Sequence, residues 1–231
     1  MKKLVICLAI LSLFAATAFA ANDVRISAIY GAGGNSGAVY NEDFVELFNA
    51  GPNPVAIGGW SIQYGSATGS NTTGFGSCTN CICVLPANAV IQPCGYYLVG
   101  LSIGTSGGVA LPVAIDNGTA CGTNLSATTG KVGLVNSSTI LNVCPDGASM
   151  IDLVGFGTGN CFEGAVGPAP STTNAIYRAG AGMVDTDNNA SDFTASAVVA
   201  PRNSASPINQ ICHDTVPNES QTWGAVKSTY K

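Results

Sequence analysis

Charge is what this sequence has least of. Only 9% of its 231 residues are Asp, Glu, Lys or Arg, and there is a single histidine, His213. No basic run occurs anywhere, and 13 acidic side chains outnumber eight basic ones. Binding to phosphate backbones depends on Lys and Arg, so a nucleic-acid partner is not expected. Apolar residues at helical spacing are also missing, which argues against a helical bundle. After residue 20 no apolar run is long enough to cross a bilayer, which takes about 20 residues. The low charge is not a mark of disorder, because 46% of the chain is hydrophobic and Gly, Ser, Thr and Asn dominate the rest.

The first segment, MKKLVICLAILSLFAATAFA, has the form of a secretory signal: Lys2 and Lys3, an apolar stretch from Leu4 to Phe14, and a small-x-small site at Ala18-Phe19-Ala20. Cleavage is expected near Ala20, with the mature chain secreted or held in the cell envelope. Eight cysteines follow: Cys78, Cys81, Cys83, Cys94, Cys121, Cys144, Cys161 and Cys212. An even number in an exported chain points to disulfides. Zinc is the weaker reading, because CTNCIC lacks a second ligand pair and only His213 could supply an imidazole. The eight allow on the order of a hundred pairings, so spacing leaves the connectivity open.

Short runs of β-branched and aromatic residues alternate with Gly, Pro and Asn clusters. They predict strands over 24–30, 43–49, 59–64, 95–100, 131–136, 151–157 and 174–179. About seven strands without intervening helices indicate an all-β antiparallel sandwich. In the third, Trp60, Ile62 and Tyr64 share one face and Ser61 and Gln63 the other. The loops 65–94 and 101–130 are long, and loops of that length are unusual unless tied down or functional. They hold five of the cysteines, so disulfides are expected to tie them. One domain over 22–205 and a tail over 206–231 follow.

The stretches YGAGGNSGAVYNEDFVELFNAG, GGWSIQY, GYYLVG, GKVGLVN, IDLVGFG and DTDNNASDF…PRNS, in this order from about Val24 to Ser204, resemble the exported bacterial branch of the lamin-tail domain family. The resemblance implies an immunoglobulin-like β-sandwich without catalysis of its own. It also implies a bridge between Cys144 and Cys161, at the two ends of the IDLVGFG segment. Trp60 should fill the core beside Val45 and Leu47. Glu46 should face solvent or pair with Arg178 or Arg202.

Several patterns could carry chemistry. GTSGG (104–108) matches G-x-S-x-G around Ser106, but that motif needs a strand, a sharp turn and a helix, and a proline follows here. Glu46, Asp152 and Glu163 could be paired carboxylates for glycoside hydrolysis, although sequence shows no separation. GAGGNSG lacks the Lys-Ser/Thr of a phosphate loop. The densest acidic run is DTDNNASD, in which Asp185, Asp187, Asn189 and Asp192 alternate as hard oxygen donors for calcium. The EF-hand pattern breaks at Ala190, where glycine belongs, and at Ser196, where a bidentate Glu belongs. The competing reading is an Asx-rich turn before a strand starting at Phe193.

Sequons at Asn71, Asn117, Asn124, Asn136, Asn189 and Asn218 have meaning only where exported asparagines are glycosylated. In the tail, Trp223, Val226 and Tyr230 have the spacing of a short amphipathic helix. Taken together, the sequence reads as a secreted, disulfide-tied binding or structural module without a cofactor. Its partner is expected to be an extracellular or cell-surface protein or glycan. A calcium-dependent adhesin and an exported hydrolase using acids around Glu46 or the Asp185 cluster are the alternatives.

Overall fold

The strands form where the β-branched and aromatic residues cluster. The computed structural model describes residues 23–69, 80–141, 144 and 149–215. The signal segment, Cys78, Asn71, Asn218 and the expected helix around Trp223 lie outside the described residues. The seven predicted strands appear as β1 (Val24–Tyr30), β2 (Glu42–Asn49), β4 (Ser61–Gly65), β7 (Tyr96–Ile103), β8 (Gly130–Val135), β9 (Met150–Phe156) and β10 (Ala175–Arg178). Three shorter ones were not predicted, β3 (Val55–Ala56), β5 (Ile82–Val84) and β6 (Val90–Ile91), while β11 (Phe193–Ser196) is the short strand expected to start at Phe193. Strands of two to four residues are too short to show a period. Two short helices are present, α1 (Asn189–Asp192) and α2 (Gln210–Thr215).

One sheet has the order β11-β10-β1-β2-β7 and the other β5-β4-β8-β9, with all pairs antiparallel. A small β3-β6 pair stands apart from them. The two sheets face each other across Ile26, Val45, Leu47 and Val99 on one side and Ile62, Val132, Leu134 and Val154 on the other. The architecture is an immunoglobulin-like antiparallel sandwich. Trp60 does not fill this core. It is only half-buried, just before β4, and packs against the rim of the cluster.

Both faces of the central strands of the five-stranded sheet, β1 and β2, are covered. Its outer face carries Ala28, Tyr30, Phe44 and Leu98, which are buried against Leu111, Val113, Ile115 and Val199 from the long connections. The predicted polar face of β4 is covered as well. Ser61 donates to Ser137 O, while Gln63 donates to Thr139 O and accepts from Leu141 N. The loops act as a third layer, which explains how so uncharged a chain buries so much of itself.

Three disulfides tie these loops: Cys83–Cys121, Cys94–Cys212 and Cys144–Cys161. Cys81 is also disulfide-bonded. The Cys144–Cys161 bridge brings Cα atoms to 5.6 Å although β9 runs between them in sequence, so the flanking segments fold back along the strand. α2, within the stretch expected as a tail, is fastened to the residue before Gly95 and β7 by Cys94–Cys212.

Two sequon asparagines serve the fold. The Asn117 side chain accepts from Gly100 N at 2.9 Å and donates to Gly100 O at 2.9 Å, copying a strand partner along β7. Asn189 is fully buried. Gly157 shows where glycine is required: its φ is +66°, and a Cβ there would lie 2.2 Å from the backbone oxygen of Thr128. Gly37 has a similar φ of +78° with open space around it. Gly37→Ala should therefore cost only the left-handed strain of about 1–2 kcal/mol. Gly157→Ala should cost clearly more, because backbone has to move. Urea unfolding of both variants measures the difference, and equal losses would contradict the close approach.

Candidate functional site

Seven of the charged residues among those described gather at one corner, where β1, β9 and β10 meet. A β-bulge interrupts β1 between Ile26 and Ala28, and β1–β10 pairing is recorded only from Ala28 onward. Ile26 lies beyond that ladder, and a buried backbone group without a partner is costly. Two charged side chains satisfy it. Asp152, on β9 of the other sheet, accepts from Ile26 N at 2.6 Å, and Arg178 Nε donates to Ile26 O at 2.8 Å. Arg178 also grips Asp152 through Nη2, at 2.9 and 2.7 Å. The pair therefore joins the two sheets.

Arg178 is almost wholly buried, with its guanidinium 4.6 Å from the Phe193 ring centre. Its Nη1 meets Asp185 at 2.8 Å and Asp192 at 3.3 Å. Asp185 also pairs with Arg25 at 3.6 Å. The acidic run thus divides by direction. Asp192 turns inward and accepts from Thr186 N, Thr186 Oγ1 and, at 3.4 Å, Asn188 N. Asn189 turns inward too, accepting from Gly155 N and Glu163 N and donating to Leu153 O. Asn188 caps α1 by accepting from Ala190 N and Ser191 N. These are the local bonds by which Asx side chains build turns, and Phe193 does begin β11.

Asp185 and Asp187 remain exposed. They share their corner with Glu163, and one carboxylate oxygen from each lies within 4.8 Å of the others. The four residues expected to gather around calcium are therefore not brought to one point. Asp185 and Asp187 stand with Glu163, while Asn189 and Asp192 are committed to the fold. Glu163 accepts from Leu153 N and from Asn189 Nδ2, each at 3.3 Å. Burial, with Asp152 and Asp185 nearby, pushes its carboxyl up to about 8. Around this corner five carboxylates (Asp152, Glu163, Asp185, Asp187 and Asp192) face two guanidinium groups, Arg25 and Arg178.

The remaining candidates are also placed. Glu46 is fully buried, bound to Ser27 Oγ and to Arg202 through its backbone N, Nε and Nη2. Arg202 in turn lies 3.8 Å from the Tyr96 ring centre. Ser106 sits in an irregular loop after β7 that leads into a short bridge and no helix, so no nucleophile elbow forms. Asp43, on β2, pins two loops by accepting from Gly33 N and Leu125 N. The pairing of Arg178 with Asp152 was not foreseen from sequence, which offered Arg178 only as a partner for Glu46. Each stands as the lone charge in an apolar strand, AIYR and MIDLVGF. Opposite lone charges in two apolar strands are the signal that could have found them.

A family model described as the Lamin Tail Domain matches residues 17–158, which spans β1 to β9 and stops short of Glu163, Arg178 and the acidic run. No curated protein matches the chain. Among solved structures, a DUF4876 family protein from Bacteroides thetaiotaomicron VPI-5482 aligns with a TM-score of 0.47 and 13% identity. The alignment covers 86% of this chain and 75% of that one.

Two predictions follow from the buried charges. Arg178→Met should cost about 3–5 kcal/mol, since it leaves buried carboxylates without a counter-charge. Adding Asp152→Leu should recover part of that loss, and urea unfolding of both variants reads it. The second concerns pH. Burial is the main force pushing the Asp43 carboxyl up to about 7, with help from Glu42 and against its two amide donors. Burial raises Glu42 as well. A raised carboxyl keeps its proton in the folded state after the unfolded chain has lost it. Stability should therefore fall as pH rises from about 4 to about 7, reversing the usual acid lability. Urea midpoints across that window test this, and Asp43→Asn should flatten the slope. A midpoint that climbs with pH would contradict it.

Proposed function

Because the chain belongs to the lamin tail domain family, we propose that it is a secreted, non-catalytic binding or structural module acting at the cell envelope or outside the cell. The observation that carries the reading is how its charge is used. Among the described residues, all four basic side chains are engaged: Arg25 with Asp185, Lys131 with Gly69 O and Asn160, Arg178 with its three aspartates, and Arg202 with Glu46. Glu46 and Asp152, two of the acids considered for a hydrolase, are each taken up by a guanidinium group, Arg202 and Arg178 respectively, and so serve the fold. Among the described residues no cation is left over to recognise phosphate, which supports a protein or glycan partner over nucleic acid.

The immediate test is binding of the purified mature protein to a glycan array and to envelope fractions, with duplex DNA as counter-probe. Specific retention on protein or glycan, with none on DNA, is the expected result. Hydrolysis of a panel of glycosides and phosphate esters, lost in a folded Glu163→Gln protein, would overturn the non-catalytic reading.

A second reading, the calcium-dependent adhesin, is favoured by one observation: the grouping of Glu163, Asp185 and Asp187 oxygens within 4.8 Å. Calcium takes oxygen ligands of this kind from loops. Calcium at about 100 times its dissociation constant should stabilise the fold by about 2.7 kcal/mol. Thermal unfolding in calcium and then in EDTA reads that shift, which Asp187→Ala should abolish. An unchanged melting temperature would remove the cation from the account.

A further inference from the structure

The edge of a β-sheet offers N–H and C=O groups that another strand can bind, and proteins usually close or guard such edges. The two main sheets end in β7, β11, β5 and β9. Side chains that copy a strand close two of these edges. Along β7, Leu98 N donates to Asp116 Oδ2 at 2.7 Å and Gly100 N to Asn117 Oδ1 at 2.9 Å, and both carbonyls are bonded in return. Along β9, Leu153 N donates to Glu163 and Gly155 N to Asn189, whose Nδ2 returns to Leu153 O. β5 is three residues long, and Cys83–Cys121 ties it to the segment that covers β7. β11 is different. Its one neighbour is β10. Phe193 donates its N–H to Asn189 O, so Thr194 and Ser196 make the ladder bonds, and the alternation of an antiparallel pair turns the N–H and C=O of Ala195 outward. Among the described residues no bond outside the ladder reaches Ala195. Thr194 and Ala195 are exposed, and the run FTASAVVAP, 193–201, carries no charge to guard them.

A groove lies beside this edge. Thr194 pairs with Tyr177 and Ser196 with Ala175, which places their side chains on the outer face of the sheet. There residues 197–202 turn back over it, held by Ala200 N donating to the Tyr177 hydroxyl and by Arg202 on Glu46. Tyr177, Thr194, Ser196, Val198, Ala200 and Arg202 line a space of about 520 Å³. Val198 is 74% exposed. Glu46 offsets the charge of Arg202 at 2.6 Å, so the groove holds no net charge. The Phe193 end of the strand is acidic instead. Asp192 accepts from Thr186 N and Thr186 Oγ1, which sets the loop bearing the exposed Asp185 and Asp187 at the start of β11.

We propose that β11 is the docking edge for an extended segment of another protein. The segment adds a strand beside Ala195, seats an apolar side chain in the groove, and sets a Lys or Arg against Asp185 and Asp187. An extended polypeptide backbone is what matches outward N–H and C=O groups at strand spacing. Charge complementarity defines the rest of the occupant: uncharged at the neutral groove, basic at the acidic end. Because β11 has only four residues, backbone bonds alone would hold a partner weakly, and the groove and acidic end supply the contacts that select it. This inference deepens the binding-module reading and rests on it.

Random linear peptides displayed on phage, selected on the full mature protein in EDTA, supply the probe. Recovered sequences should share an uncharged apolar stretch with Lys or Arg at one end. Synthetic copies should bind in solution, as read by fluorescence anisotropy. Ala195→Pro, a change that edge strands tolerate, should weaken them on the order of tenfold with circular dichroism unchanged. Asp187→Asn should weaken them severalfold at low salt. N-methylation of one alternate set of peptide amides should abolish binding, while methylation of the other set should not. That control leaves the protein untouched, so it holds whether or not the proline variant folds. Peptides that bind Ala195→Pro equally well and survive both methylations would overturn the docking edge and leave the binding module standing. Recovery of no peptide, with specific retention on the glycan array, would have the same meaning. Retention on neither peptides, glycans nor envelope fractions would remove the binding reading itself. A mature protein that self-associates, and that Ala195→Pro makes monomeric, would assign the edge to a second copy and overturn the proposal as well.

Discussion

Everything at the corner of the sandwich depends on one buried interaction, the grip of Arg178 on Asp152 beside the β1 bulge. Ile26 keeps its place opposite Leu47 of β2 but lies beyond the β1–β10 pairing, and the ion pair supplies its backbone with both an acceptor and a donor. Because Asp152 belongs to the second sheet, the same contact sets how the two sheets meet. A buried pair is not by itself a source of stability, since desolvation can exceed the Coulomb gain. Its value here lies in specificity: only one register of β1, β9 and β10 satisfies all these groups together. Arg202 and Glu46 repeat the device on the outer face, where they lock the 197–207 strap over β2. Among the described residues, every cation serves the architecture.

The long strands were legible because Val, Ile, Leu and aromatic residues in short bursts leave little else to form. The two-layer reading was less complete. Ser61 and Gln63 look like a solvent face by alternation, yet the 137–141 segment covers them through backbone bonds that leave no mark in their own sequence. The bulge was also hidden. VRISAIY alternates smoothly on paper, but Val24 and Ile26 enter the central core, Ala28 and Tyr30 the outer layer, and Ile29 the centre again. One inserted residue resets the phase, and propensity does not mark where. Trp60 shows the opposite error, in which size suggested a central place and the half-buried residue sits at the rim.

At the candidate site, sequence found the right segment and half of the right residues. DTDNNASD behaves as a turn in Asn188, Asn189 and Asp192, whose side chains bind nearby or facing backbone. Its two outward acids do gather, but with Glu163, which is 22 positions before Asp185 in the chain. Spacing rules see ligands that share a loop and miss one delivered by a neighbouring loop. The disulfide between Cys144 and Cys161 came from family likeness; two further bridges, Cys83–Cys121 and Cys94–Cys212, join residues 38 and 118 apart, and nothing in local sequence points to them.

The longest of these bridges has a mechanical meaning. Cys94 and Cys212 enclose β7 through β11 in one covalent ring, 118 residues apart along the chain. Tension applied between a point before β1 and a point after α2 would pass from Cys212 straight to Cys94 through sulfur. The enclosed strands would carry none of that load, and only the stretch from β1 to β6 could be drawn out. For a protein anchored at one end and bound to something moving at the other, the bridge would set a limit on how far the chain can be drawn out.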